Sequence, residues 1–209
     1  MTSNMSCRLI LPLIFSCVLR AVHAQGMADP ALIDMAAKLE PGQSMVRGNT
    51  KLTLNQRGAG ITDAKGWFLA QSTKGRFSVR FPGPINDETI VTKDRGSQIE
   101  VNMLNTRTPA TSFMVFCTKE SGHEFSTDEV RRIVAAIGGQ AKNFKSEAFA
   151  TGPTSGLEYS GVDRTGTYFA GRMFLQNNQL CQFLIGSHAR TEGITPEMRS
   201  ALESFESVN

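Results

Sequence analysis

The chain has 209 residues, 40% hydrophobic and 20% charged, which excludes a disordered chain or a membrane-embedded bundle and suggests one domain with a short appendage. Of its formal charge of +3, two units come from Arg8 and Arg20. Without them the chain is nearly neutral and lacks the basic footprint of a nucleic-acid binder.

The first 24 residues predict an export signal. Arg8 supplies the positive end, Leu9 to Leu19 form an apolar run, and Val22-His23-Ala24 offers small residues for cleavage before Gln25. The run falls short of the roughly 20 residues that a membrane span needs. The expected product is periplasmic or secreted, cleaved after Ala24, with no span left. The alternative is a lipoprotein signal at Cys17, where bulky Phe15 stands in place of a small residue. Cys7 and Cys17 fall in this leader, so Cys117 and Cys181 remain. An even count in an exported chain suggests that these two are bridged; the alternative is two buried thiols.

Residues 25–66 read as an N-terminal extension. Asp29 can cap a helix over 30–40 with Pro30 at its first position, and Leu32, Met35, Ala36 and Leu39 recur at helical spacing. Pro41-Gly42 stops it. This helix would dock either on a partner or on its own domain. The stretch around Arg57-Gly58-Ala59-Gly60 reads as a loop.

From Trp67 the pattern turns to strands, and the main domain is expected over 67–209. Phe77, Val79 and Phe81 alternate on one face until Pro82-Gly83-Pro84 ends the strand. Thr89–Thr92 and Gln98–Leu104 form a pair around Asp94-Arg95-Gly96. Ser112–Cys117 is apolar on both faces, as a central strand covered on both sides would be. Ser126 and Glu129 form a capping box ahead of Val130, Ile133, Val134 and Ile137, and Gly138-Gly139 closes that helix with residues that tolerate positive φ. Phe144–Phe149 and Leu157–Tyr159 read as short strands. A hairpin follows, with Asn177-Asn178 as its turn, Leu175 opposite Leu180 and Phe174 opposite Cys181. Thr195 and Pro196 open a last helix bearing Met198, Ala201, Leu202 and Phe205. The order strands, helix, strands, helix implies an α+β fold with a mainly antiparallel sheet.

Several of these segments together resemble the PsbP-like fold family, named for an extrinsic photosystem subunit and shared by bacterial envelope proteins. They are Gly75 to Gly83, the apolar strand through Cys117, Gly171 to Leu175 with Asn178 to Phe183, and the closing helix ending at Ser204-Phe205. The resemblance covers about residues 67–206. It implies an α-β-α sandwich, a sheet with helices on both sides. It implies no activity, because members are mostly non-enzymatic accessory or binding proteins, and it carries no catalytic motif onto this chain.

Sites of familiar chemistry are scarce. Gly152-Pro153-Thr154-Ser155-Gly156 has its serine one place late for a nucleophile elbow and reads as a turn. His123 and His188 both follow strands and could share a metal, but His123-Glu124 lacks the second histidine of H-E-x-x-H, and the competing reading is two solvated loop residues. Arg80, Arg172 and Gln182 are polar residues within apolar strands; they line a ligand groove or lie on a solvent face or sheet edge. No catalytic residue, metal or cofactor is therefore assigned. The expectation is an exported, non-catalytic envelope protein whose partner is another envelope protein or a small ligand. A small-molecule or lipid carrier, with a pocket between sheet and helices, is the alternative, and an unrecognised hydrolase is the third.

Overall fold

The computed structural model describes residues 38–94, 96–152, 154–187 and 193–208. The leader with Cys17, the cleavage site after Ala24, most of the helix predicted over 30–40, and His188 lie outside the described residues. In chain order the elements are β1 (Ser44–Arg47), β2 (Thr50–Ala59), β3 (Ile61–Thr62), β4 (Phe68–Gln71), β5 (Phe77–Phe81), β6 (Ile85–Asp94), β7 (Ser97–Arg107), β8 (Thr111–Glu120), α1 (Thr127–Gly138), β9 (Lys142–Thr151), β10 (Thr154–Val162), β11 (Tyr168–Gln176), β12 (Gln179–Ser187), α2 (Pro196–Leu202) and β13 (Glu206–Ser207).

Nine strands form one antiparallel sheet in the order β1-β2-β6-β7-β8-β12-β11-β10-β9, and β13-β5-β4-β3 form a second, smaller sheet. This corrects the expected α+β fold and its α-β-α sandwich: the described residues are mostly antiparallel strand, with two helices. On one face of the large sheet, α1 packs Val130, Val134 and Ile137 against Tyr159, Phe169 and Met173. On the other face the cover is largely another sheet. Phe77, Val79 and Phe81 of β5 bury against Phe113, Val115 and Phe183, beside Met198, Ala201 and Leu202 of the short α2. The physical reason lies at Pro82-Gly83-Pro84. Proline cannot continue a ladder, so the chain leaves β5 there and starts β6 in the other layer, and β5 keeps its apolar face for the core between the two sheets.

Residues 44–62, read as extension, supply β1, β2 and β3. β2 pairs with β6 from Thr50↔Thr92 onward, and it runs on through Gly58 and Ala59, where a loop was expected. The register shifts there, and Gly58 at φ 63 and Gly60 at φ 119 supply left-handed backbone that only glycine adopts easily.

The central strand falls where the apolar pattern puts it: β8 lies fifth of nine, between β7 and β12, with Phe113, Val115 and Cys117 in one core and Phe116 in the other. The hairpin also has the predicted register, Leu175↔Leu180 and Phe174↔Cys181, with Asn177 and Asn178 at φ 49 and 58, a type I′ arrangement. Cys117 and Cys181 face each other across β8 and β12 and form a disulfide with their Cα atoms 4.1 Å apart.

At α1, Ser126 accepts from the Glu129 amide while the Glu129 carboxylate accepts from the Ser126 amide, completing the capping box. Desolvation pulls the Glu129 carboxyl upward, but the Ser126 amide and hydroxyl, with His123, outweigh it and hold the group below its ordinary range. The helix ends without the expected left-handed residue: Gly139 is right-handed at φ −63. Glycine serves a different need here, since a Cβ on Gly138 would lie 2.6 Å from the Phe144 ring.

Two further hairpin turns share one design. Asp63 Oδ1 accepts from the amides of Lys65 (2.8 Å) and Trp67 (2.9 Å), and Asp163 Oδ1 from those of Thr165 (2.8 Å) and Thr167 (2.9 Å). Both are D-x-x-G segments whose side chain replaces backbone partners within the turn.

Candidate functional site

The turn at Asp163–Thr167 sets the register of β10 on β11, and that register brings charges together. It places Glu158 opposite Arg172, and the hairpin before it places Glu147 opposite Glu158. Across the sheet these residues continue a single row on the α2-facing side: Asp87, Leu104, Val115, Phe183, Arg172, Glu158, Glu147. The row is apolar in the middle and charged at both ends.

At one end Asp87 is fully buried. It accepts from the Thr73 amide (2.7 Å), from Asn55 (3.2 Å) and more weakly from the Ser72 hydroxyl (3.5 Å). Ser72 and Thr73 belong to the β4–β5 turn, so this carboxylate fastens the small sheet to the large one. Its role is structural.

At the other end the Glu158 carboxylate is buried and Oε2 accepts from Arg172 Nε at 2.9 Å and Arg199 at 2.8 Å. Arg172 also donates to the Leu202 carbonyl at 3.1 Å and stacks over the Phe149 ring, 4.6 Å from its centroid. One buried guanidinium thus ties β10, β11, β9 and the C-terminus of α2. Outside it opens a cavity of about 150 Å³ lined by Lys145, Glu147, Glu158, Ser160, Ile194 and Arg199, among others. Lys145 and Glu147 are exposed and Arg199 half-exposed, so charges of both signs meet solvent at the β9 rim.

The three polar strand residues have different fates. Arg80 is exposed and pairs with Asp63 of the first D-x-x-G turn. Arg172 and Gln182 are buried, at 6% and 0% exposure, so neither lies on a solvent face. Gln182 points to the α1 side and donates to the Tyr159 hydroxyl. Tyr159 lies over Gly171, its cross-strand partner. A Cβ there would come 2.5 Å from the Phe183 carbonyl and 2.7 Å from the Tyr159 hydroxyl, distances no side chain tolerates. Gly171→Ala is therefore expected to destabilise the protein by about 2–3 kcal/mol, read by urea unfolding; an unchanged midpoint would show that Tyr159 and the strand yield without strain.

His123 Nε2 donates to the Glu129 carboxylate at 3.0 Å and packs edge-on against Phe125, which makes it part of the helix cap. Gly152 forms a turn at φ 56, and Thr154 to Gly156 begin β10. Among the described residues no three His, Cys, Asp or Glu side chains gather as metal ligands would, and no helix is long and apolar enough to cross a membrane. Glu158, Lys145 and Glu147 escaped the reading of the sequence. The usable signal was the D-x-x-G turn: once Val162 is set opposite Tyr168, two-residue alternation carries Glu158 to Arg172. Comparison with family models, curated proteins and solved structures finds no match to this chain.

Proposed function

We propose that the chain is an exported, non-catalytic recognition protein that acts by protein–protein contact along β9. The leader at residues 1–24, cleaved after Ala24, would deliver it to the periplasm or beyond, and the buried Cys117–Cys181 disulfide is at home in such an oxidising compartment.

The observation that carries the reading is the outer strand itself. β9 is the terminal strand of the large sheet, ten residues long, and mostly exposed along both faces. It stands beside the cavity where Lys145, Glu147 and Arg199 present both signs of charge. An exposed strand edge is a template for backbone pairing, and neighbouring charges select among partners. The space beneath α1 is packed by Val130, Val134 and Ile137, and the space beneath α2 by Met198, Ala201 and Leu202. Those side chains favour contact at the rim over a ligand carried between sheet and helix.

A photo-crosslinking amino acid placed at Ser146 of the full chain tests this. Adducts with polypeptide are expected from Ser146 and not from Arg131 on the exposed side of α1. Equal labelling from both positions, or none from either, would overturn the reading.

A further inference from the structure

We infer that the strand which covers β9 is β9 of a second copy of this chain, paired antiparallel about a twofold axis at Ser146. The inference rests on β9 being the contact edge and names its partner.

The two ends of the large sheet differ. β1 has four residues and β9 has ten, so β9 offers the longer ladder. Among the described residues no strand lies beyond it. A twofold perpendicular to the sheet keeps each face continuous, so opposed residues must share a face and the axis must pass through a residue position. Centred on Lys145 or on Glu147, the axis would set like charges directly opposite, which is destabilising. Centred on Ser146, it sets Lys145 of each copy opposite Glu147 of the other, and the pair forms twice.

The local electrostatics favour that choice. Glu147 already has Glu158 as its cross-strand neighbour on the inner side. A lysine on its outer side supplies the opposite charge. On the other face, Ser146 meets its own counterpart, and the Phe144 ring lies opposite the small Ala148. The ladder stops beyond Phe144, because two residues, Asn143 and Phe144, bulge against one between the Lys145↔Ser160 and Lys142↔Val162 pairs, with Asn143 left-handed at φ 52.

Sedimentation of the full mature chain across a concentration series tests the pairing. Lys145→Glu and Glu147→Lys are each expected to raise the dimer dissociation constant by on the order of tenfold, and the double exchange K145E/E147K to restore it. Ser146→Cys should form a disulfide between copies under mild oxidation. A wild-type chain that stays monomeric to about 100 μM, or a dimer that both single variants leave unchanged, would overturn the self-pairing. In those cases crosslinks from Ser146 to other polypeptides would leave β9 as a contact edge, and their absence would remove that reading too.

Discussion

Glu158→Ala is expected to lower the unfolding free energy by about 3–5 kcal/mol, because it strands the Arg172 guanidinium without its counter-charge. Both side chains are almost wholly buried, at 8% and 7% exposure for arginine and glutamate. Arg172 would keep the Leu202 carbonyl and the Phe149 ring, and neither of these carries a formal charge. For a chain of this size the loss corresponds to a fall in Tm of roughly 10 °C. The second arginine behaves differently. Arg199 is 40% exposed, so water screens its pair and Arg199→Ala should cost less than about 1 kcal/mol. Replacing the buried pair together, Glu158→Leu with Arg172→Met, should recover most of the stability, since apolar side chains of similar volume escape the cost of desolvating two charges. Urea unfolding of the four proteins checks all three statements. A Glu158→Ala midpoint equal to wild type would show that the guanidinium finds water or another acceptor, and that the pair does not hold α2 to the sheet.

Replacing Cys117 and Cys181 together by alanine is expected to cost about 4 kcal/mol in the chain-entropy account of disulfides. The bond joins residues separated by 64 positions, and α1 with β9, β10 and β11 lies within that loop. Both cysteines are buried, at 1% and 0% exposure, so reductant should leave the bond intact in the native protein and open it once the chain is unfolded. Thiol titration with and without denaturant measures this directly. Rapid reduction in the native state would mean that β8 and β12 separate locally, which their central place in the sheet opposes.

Much of the fold was legible wherever neighbours along the chain decide the structure. The Asn177-Asn178 turn needs left-handed residues, asparagine tolerates them, and the register of β11 on β12 followed down to Cys181. The capping box at Ser126 and Glu129 was equally local. β9 and β10 were harder: only Phe144–Phe149 and Leu157–Tyr159 showed as strands, because β9 is exposed on both faces and so carries little apolar alternation. β2 was missed for a related reason. Its Gly58 sits in an irregular ladder that reads as a loop until β6 is beside it.

The candidate site was half legible. Arg172 and Gln182 stood out as polar residues in apolar strands, yet their burial depends on what lies across them. Arg172 is buried because Glu158 faces it from β10 and α2 closes over it, and Gln182 because Tyr159 leans across Gly171 to reach it.

Taken by itself, the amino-acid sequence determined the Asn177-Asn178 turn, the N-caps at Ser126 and Thr195, where the two helices of the domain begin, and the central strand, since each depends on backbone preferences and apolar spacing within a few residues. Tertiary structure alone decided that β4 and β5 leave the large sheet to cover it, that β2 joins it, and that α2 closes over the Glu158–Arg172 pair. Those outcomes depend on which distant surfaces exclude water from each other, and on the pairing of strands far apart in the chain.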